Sequence, residues 1–272
     1  MKKHSQPCIL IAMLVTAVVT PAQADDPALV RVQQIVAHRG SSADRPENTL
    51  ASIERAIQAG ATAIEVDVRT TKDGQLVILH DATLDRTTNG SGLLVDKTLE
   101  EVQHLDAGSW FDAKYRDQRV PTLRAVLALC ANQANVLLDL KQSGESFAKR
   151  VAAEIREHGS TSRTIVGVRN IEQAQRFRKL LPEARQLGLI PSPNQIEDFA
   201  EAGVEMIRLW PKWLADQPGL VQRVRDAKAK LHLNAATGSQ DEVLPLLRYK
   251  PDSLSSDNPA QLVKTLTALR AR

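Results

Sequence analysis

The chain has 272 residues, of which 43% are hydrophobic and 25% are charged, so it can bury the core of a domain of ordinary size. Its 35 basic and 32 acidic residues nearly balance, which argues against a nucleic-acid-binding protein because such proteins carry a basic stripe. Only two cysteines are present, so a disulfide scaffold is not the source of stability.

The first residues have the pattern of a bacterial-type export signal. Two lysines precede the apolar run 8–20, and residues 22–24 (AQA) have the small-x-small form of a cleavage site. The run is shorter than the roughly 20 residues that cross a bilayer. We expect a cleaved signal peptide over 1–24, a secreted or periplasmic protein, and one mature domain over 25–272. An N-terminal membrane anchor is the alternative.

Short apolar runs then alternate with segments of helical periodicity, as in Leu50, Ile53 and Ile57. Such alternation predicts a parallel sheet covered by helices, and the mature length suits a single (β/α)8 TIM barrel of about 250 residues. The predicted strands are 35–38, 63–69, 75–80, 136–141, 164–168, 185–190, 206–210, 231–235 and 253–256.

Nine strands are one too many for this barrel, and the second connection explains the excess. Residues 70–74 (TTKDG) are too few for a crossover helix, and Asp-Gly is typical of a hairpin turn. We therefore predict a hairpin over 63–80 with only its first arm in the barrel. Its expected register sets His80 opposite Glu65 or Asp67.

Four charged residues on two strands predict a cation site. Glu65 and Asp67 are two apart on one strand, so both point towards the barrel axis. Neighbouring buried carboxylates repel unless a cation or proton lies between them, and Ca²⁺ and Mg²⁺ prefer such oxygens. Asp139 adds a third carboxylate, with Lys141 on the same face for an anionic ligand. A solvated strand edge and a plain Asp139–Lys141 ion pair are the simpler alternatives.

Two histidines are predicted to lie beside these carboxylates. His38 ends the first predicted strand, and the hairpin brings His80 to the same carboxylates. Two imidazoles can supply a general base and a general acid on opposite sides of a phosphorus centre. Arg39 offers a bidentate partner for phosphate oxygens. A lone core histidine is usually structural, but this convergence favours acid–base catalysis.

Short motifs surround these residues. They are His38-Arg39-Gly40, Pro46-Glu47-Asn48-Thr49, Glu65-x-Asp67, Thr71-Lys72-Asp73-Gly74, His80-Asp81, Arg86-Thr87-Thr88 with Gly90-x-Gly92, Val120-Pro121-Thr122-Leu123 and Ser256-Asp257-Asn258-Pro259. Taken in this order, they resemble the glycerophosphodiester phosphodiesterase family. The resemblance is dense from 35 to about 142 and diffuse beyond.

The resemblance implies a (β/α)8 barrel that hydrolyses glycerophosphodiesters, which are deacylated phospholipids, to glycerol 3-phosphate and an alcohol with one Ca²⁺ or Mg²⁺. It implies that Glu65, Asp67 and Asp139 are metal ligands, that His38 and His80 are the acid–base pair, and that Arg39 and Lys141 bind the substrate. The segment 82–120 is similar to the family's insertion at the rim of the active site. The expected partner is a small molecule, with no nucleic acid and no stable membrane insertion after signal cleavage.

Two positions depart from the family pattern. Asp139 stands where the family usually has Glu, so its shorter side chain must reach further to the cation, act through a water, or leave the site looser. Leu231 stands where the family often has Trp, and Trp210 or Trp213 either replaces that apolar surface or simply packs. The alternatives are a phospholipase- or lyase-type activity that yields a cyclic phosphate, and a non-catalytic periplasmic binding protein on the same barrel.

Overall fold

The computed structural model describes residues 31–271, so the predicted signal peptide lies outside the described residues. The strands are β1 (Gln34–His38), β2 (Ala63–Thr70), β3 (Leu76–Ile78), β4 (Asn135–Leu140), β5 (Thr164–Val168), β6 (Arg185–Gly188), β7 (Met206–Arg208), β8 (Lys230–Asn234) and β9 (Ser253–Ser256). The helices are α1 (Leu50–Gln58), α2 (Leu99–Gln103), α3 (Leu123–Cys130), α4 (Glu145–His158), α5 (Ile171–Leu180), α6 (Ile196–Glu201), α7 (Pro211–Asp216), α8 (Leu220–Asp226), α9 (Gln240–Leu247) and α10 (Pro259–Arg270).

Eight parallel strands close into a barrel in the order β1-β2-β4-β5-β6-β7-β8-β9, and β9 pairs back with β1. β3 pairs antiparallel with β2 and stays outside the barrel. The predicted (β/α)8 barrel and the predicted hairpin are both confirmed. Parallel strands of this kind are buried on both faces, which is why they were recognisable as continuous apolar runs.

The predicted register of the hairpin is wrong by one residue. Val68 lies opposite Ile78, and continuing that ladder would set position 80 opposite Val66 rather than opposite a carboxylate. β3 ends at Ile78, so strand alternation no longer fixes the direction of His80. Instead, the guanidinium of Arg69 holds the His80 carbonyl through hydrogen bonds of 3.0 and 2.7 Å.

The barrel strands divide their side chains between two apolar regions. On β2, Ile64, Val66 and Val68 join the large core between the barrel and its helices. The opposite faces fill the inside of the barrel with Val36, Ala63, Leu137, Ile165, Leu187, Leu189 and Met206. On four of these strands the next interior position is charged or a histidine, namely His38, Glu65, Asp139 and Arg208, so the chemistry is concentrated at the carboxyl ends of the strands.

The segment 82–120 between β3 and α3 carries α2 and two short 3-10 helices, Leu94–Asp96 and Ala113–Tyr115. Its apolar residues form a third cluster with the hairpin, made of Val77, Leu79, Leu84, Leu94, Val102, Ala107 and Val120. Among residues 31–271, no helix combines the length and apolarity that a membrane crossing requires.

Candidate active site

A cavity of about 500 Å³ opens at the carboxyl ends of the barrel strands. Five of the seven residues predicted for the site line it: His38, Arg39, His80, Asp139 and Lys141. Glu65 lies deeper, beside a small internal cavity of about 40 Å³ that His38 and Asp139 also line. The structure therefore brings the predicted residues together.

The registers of the barrel strands explain this convergence. Glu65 is level with His38 on the neighbouring β1, and Asp67 is level with Asp139 on β4. Ligand oxygens of Glu65, Asp67 and Asp139 all lie within 4.8 Å of one another. Glu65 is 6% exposed and Asp67 is 1% exposed, which excludes the solvated strand edge.

The chemistry of these three carboxylates fits a hard divalent cation. Burial, reinforced by the charges of Asp67 and Asp139, raises the pKa of Glu65 well above its ordinary range. Such a shift means that the ionised cluster lacks enough positive charge nearby. Ca²⁺ and Mg²⁺ favour carboxylate oxygens, so Glu65, Asp67 and Asp139 are the residues that could hold one.

Two basic side chains balance part of this negative charge. The Lys141 Nζ lies 2.8 Å from Asp67 Oδ1 and 2.7 Å from Asp139 Oδ2, and Arg169 also pairs with Asp139. Burial opposes ionisation of Asp139, yet the charges of Lys141 and Arg169 hold its pKa below the ordinary value. The Asp139–Lys141 ion pair is thus present as part of the carboxylate cluster.

Arg39 holds the cluster from the β1–α1 loop, in a left-handed backbone conformation with φ 58°. Its backbone N–H donates to Glu65 Oε2 at 2.8 Å, and its Nη1 donates to Glu47 Oε1 at 3.0 Å. Its Nε lies 3.4 Å from Asp67 Oδ2. A non-glycine residue in this conformation is strained, and such strain is concentrated at functional sites.

Asn48 fixes the second carboxylate from the same loop, also with φ 58°. Its Nδ2 donates to Asp67 Oδ2 at 2.7 Å, and its Oδ1 accepts from the Asp67 backbone N–H at 3.3 Å. The next residue, Thr49, is the N-cap of α1. The Pro-Glu-Asn-Thr motif therefore both starts a helix and orients Asp67.

His38 is oriented by a carboxylate from the far end of the chain. Its Nδ1 lies 2.6 Å from Asp257 Oδ1, and Ser42 Oγ donates to the same oxygen at 3.3 Å. Burial lowers the pKa of His38, but the charge of Glu65 and the Asp257 hydrogen bond raise it above the ordinary value. With Nδ1 engaged, Nε2 is the nitrogen left for proton exchange.

His80 has an equivalent partner in its neighbour. Its Nδ1 lies 2.7 Å from Asp81 Oδ1, and Arg86 Nε donates to Asp81 Oδ2 at 2.6 Å. Arg86 also forms a two-pronged pair with Glu47, at 2.9 and 2.8 Å. Arg86, in the segment 82–120, thereby connects the His80–Asp81 pair to the β1–α1 loop, which carries Arg39.

Sequence reasoning gave no individual role to Asp257, Asp81, Arg169 or Arg208, although all but Asp81 line the cavity. A signal was available for the two arginines, because Arg169 directly follows β5 and Arg208 ends β7. Polar residues at the carboxyl ends of barrel strands are typical of active sites.

Trp210 and Trp213 lie in different environments. Trp210 is 39% exposed and lines the cavity, whereas Trp213 packs against the main core. Of the two, Trp210 is the one placed to offer apolar surface to a ligand.

Within residues 31–271, the other three histidines lie outside the lining of the larger cavity, although His232 lines the small internal one. His104 is exposed, and His158 lies 3.8 Å from Glu154 on the same helix. His232 is buried inside the barrel, 2.9 Å from Ser253 Oγ. Burial and the charge of Arg208 lower the pKa of His232 to about 3, so it is neutral and structural.

Comparison with known proteins identifies the family to which the chain belongs. The chain is 33% identical over 235 residues to the glycerophosphodiester phosphodiesterase of Caldanaerobacter subterraneus subsp. tengcongensis, covering 84% of this chain and 96% of that relative. The crystal structure of glycerophosphodiester phosphodiesterase from Agrobacterium tumefaciens str. C58 superimposes with a TM-score of 0.74 and 31% identity, covering 85% of this chain and 99% of that one.

A second solved structure holds a small molecule. It is an Oleispira antarctica phosphodiesterase in complex with the product sn-glycerol-3-phosphate, with a TM-score of 0.75, 27% identity, and coverage of 88% of this chain and 99% of that one. The sequence profile of the Glycerophosphoryl diester phosphodiesterase family matches residues 38–261. The chain therefore belongs to the glycerophosphoryl diester phosphodiesterase family.

Proposed function

We propose that the protein is an exported, cation-dependent enzyme that hydrolyses glycerophosphodiesters to glycerol 3-phosphate and an alcohol. The observation that carries this proposal is that two carboxylate-bound imidazoles line one cavity together with Asp139, which belongs to a cluster of three carboxylates. The relatives support it, since two are named glycerophosphodiester phosphodiesterases and a third holds sn-glycerol-3-phosphate as product.

His38 and His80 act as the acid–base pair. Asp257 and Asp81 each engage an Nδ1, so each ring presents Nε2 to the phosphodiester. One imidazole takes the proton of the attacking oxygen, and the other protonates the alcohol as its bond to phosphorus breaks.

A cation and two basic side chains bind the phosphate in this proposal. A divalent cation, Ca²⁺ or Mg²⁺, held by Glu65, Asp67 and Asp139 would supply charge that stabilises the transition state at the phosphoryl oxygens. Arg39 and Lys141 donate hydrogen bonds to the same oxygens and orient the diester.

The test is release of glycerol 3-phosphate from glycerophosphocholine by the wild type, His38→Ala and His80→Ala, with and without EDTA. We expect each substitution to reduce kcat by roughly 10²- to 10⁴-fold. We also expect EDTA to abolish activity and Ca²⁺ or Mg²⁺ to restore it. His104→Ala, at an exposed position, is the matched control and should keep full activity.

Other outcomes would overturn parts of this proposal. Phosphorus NMR that shows a cyclic phosphate as the final product would establish the lyase-type reaction instead. Binding of glycerophosphocholine without turnover, in the presence of either cation, would indicate a binding protein.

Export is tested separately. The proposal rests on the basic start, the apolar run 8–20 and the Ala22-Gln23-Ala24 site. In a Gram-negative host, the periplasmic fraction should contain protein whose first residue is Asp25. Protein that retains residue 1 and stays in the cytosol or the membrane would contradict export.

A further inference from the structure

Arg208 projects into the barrel at its carboxyl end. It is the last residue of β7, and Met206, two residues earlier, belongs to the apolar cluster inside the barrel. Ile207 between them faces the outer core. Strand alternation therefore turns Arg208 towards the barrel axis, and it lines the cavity that His38 and Lys141 also line.

The surroundings of Arg208 differ from those of the other basic residues in the cavity. Arg39, Lys141 and Arg169 each pair with a carboxylate. Arg208 instead lies over the ring of Trp210, with its guanidinium carbon 4.3 Å from the ring centroid. Its Nε is shielded from solvent and has no hydrogen-bond partner within residues 31–271.

This arrangement is costly unless an anion completes it. Burial and the nearby positive charge of Arg169 lower the pKa of Arg208 to about 10, although the charges of Asp139 and Glu65 oppose this shift, so the guanidinium is still charged at neutral pH. A buried charge is normally paired, and arginine stacked on an aromatic ring is suited to binding a planar or tetrahedral oxyanion. Asn234, on the adjacent β8, lines the same cavity, and its Nδ2 is the atom that could donate a hydrogen bond to an oxyanion.

The place of β7 in the barrel puts this position across the barrel axis from the strand that carries Glu65 and Asp67. Starting from β2, which carries Glu65 and Asp67, β7 is the fourth strand in either direction around the barrel. Arg208 and those carboxylates therefore start from opposite walls of the barrel, and Arg208 and Glu65 both line the small internal cavity between those walls. A diester whose phosphate lies at the carboxylate cluster can extend one of its two arms towards Arg208.

We propose that Arg208, backed by Trp210 and beside Asn234, binds an oxyanion carried by the leaving alcohol. The favoured substrates are glycerophosphodiesters whose alcohol bears a carboxylate or a second phosphate. The inference rests on the proposed function and specifies its substrate class.

Two matched substrate pairs test it. Glycerophosphoserine differs from glycerophosphoethanolamine by one carboxylate, and glycerophosphoglycerol with a terminal phosphate differs from glycerophosphoglycerol by one phosphate. We expect wild type to have the higher kcat/KM for the anionic member of at least one pair, and the responding pair identifies the oxyanion. Arg208→Gln should lower kcat/KM for that anionic member by roughly 10- to 100-fold and change kcat/KM for the member that lacks the extra carboxylate or phosphate by less than about threefold.

Controls keep the result unambiguous. Arg208→Lys should restore part of the preference, since the charge returns without the guanidinium fork. Arg223→Gln, whose arginine pairs with Glu197 outside the cavity, should leave all four values unchanged. Circular dichroism of each variant verifies the fold.

Three outcomes would overturn the proposal. Equal loss on both members of each pair would place Arg208 at the reacting phosphate and leave the proposed function intact. Absence of any anionic preference in wild type would also refute the inference alone. No turnover of any of the four compounds by wild type would overturn the proposed function and this inference together.

Discussion

Each catalytic histidine in this site is paired with a carboxylate, and that carboxylate determines which ring nitrogen can exchange a proton. Asp257 and Asp81 engage the Nδ1 atoms of His38 and His80, which fixes the tautomer of each ring. Neither carboxylate needs to touch substrate in order to matter. Loss of a positioning carboxylate should shift the pH dependence of kcat, whereas loss of the histidine itself should remove the proton transfer.

Replacement of Asp257 by asparagine tests that role. The carboxylate raises the pKa of His38, so Asp257→Asn should lower that pKa and move the corresponding limb of the kcat pH profile to lower pH. We expect kcat to fall by roughly 10²-fold or more, with little change in KM. Asp241→Asn, at an exposed position of α9, is the control. An unshifted pH profile with normal kcat would rule out positioning by Asp257.

At the scale of elements, the loop from β1 to α1 must place Arg39, Glu47 and Asn48 within a few residues. It does so by a tight turn in which Arg39 has φ 58° and Gly40 has φ 79°. A Cβ added to Gly40 would lie 2.4 Å from Ser52 Oγ and 2.7 Å from the Ser52 backbone carbon. The loop therefore depends on glycine for both conformation and space.

A matched pair of glycine substitutions separates these two effects. Gly92 also has a positive φ, 85°, but a Cβ there meets no atom within 4 Å. We expect Gly92→Ala to cost about 1–2 kcal/mol from backbone strain alone. Gly40→Ala should cost a further 1–3 kcal/mol, roughly, because of the clash with α1. Urea titration measures both, and equal costs would mean that the loop relaxes away from Ser52.

Glu47 joins the same loop to the insertion through Arg39 and Arg86. Burial alone would raise the pKa of Glu47, but the Arg86 hydrogen bond and the charges of both arginines lower it. An acid whose pKa falls on folding stabilises the protein above its unfolded-state pKa, about 4.3. That stability is lost as the pH falls through the folded-state pKa.

Glu47→Gln should therefore destabilise the protein by about 1–3 kcal/mol at pH 7. The difference from wild type should shrink below about pH 4, where wild type itself becomes protonated. Urea titrations of both proteins between pH 3 and 8 measure it. A difference that is constant with pH would show that the carboxylate charge contributes nothing to the contact.

At the scale of the whole molecule, stability is coupled to a carboxylate cluster, because the pairing of β2 with β4 in the folded barrel brings Glu65, Asp67 and Asp139 together. Any cation that binds only the folded state must stabilise it, by about 2.7 kcal/mol at a hundred times Kd. For a chain of this size each kcal/mol corresponds to about 2–4 °C in Tm.

We accordingly expect Ca²⁺ or Mg²⁺ to raise the Tm of the wild type and EDTA to reverse the rise. Asp67→Asn should abolish the effect, whereas Asp241→Asn should retain it. Thermal scans with each cation measure this without any assay of activity. An unchanged wild-type Tm at millimolar concentrations of both cations would contradict the cation site.

The architecture could be predicted from the sequence because its causes are local. Continuous apolar strands between amphipathic helices indicate a covered parallel sheet. The five-residue Thr-Thr-Lys-Asp-Gly connection can only be a turn. The pairing of Glu65 with Asp67 on one face follows from strand alternation, and Asp139 with Lys141 follows in the same way.

Only the tertiary structure decided the rest, since it depends on groups far apart in the chain. Asp257 reaches His38 across 219 residues because β9 closes the barrel against β1. His80 faces the cavity because β3 ends at Ile78, which no alternation rule predicts. Arg208 forms no ion pair within residues 31–271, because the closed barrel places no carboxylate of the described chain in contact with it. Local sequence determines the elements and the types of group they carry, while closure of the barrel determines which groups meet and which charge is left for a ligand.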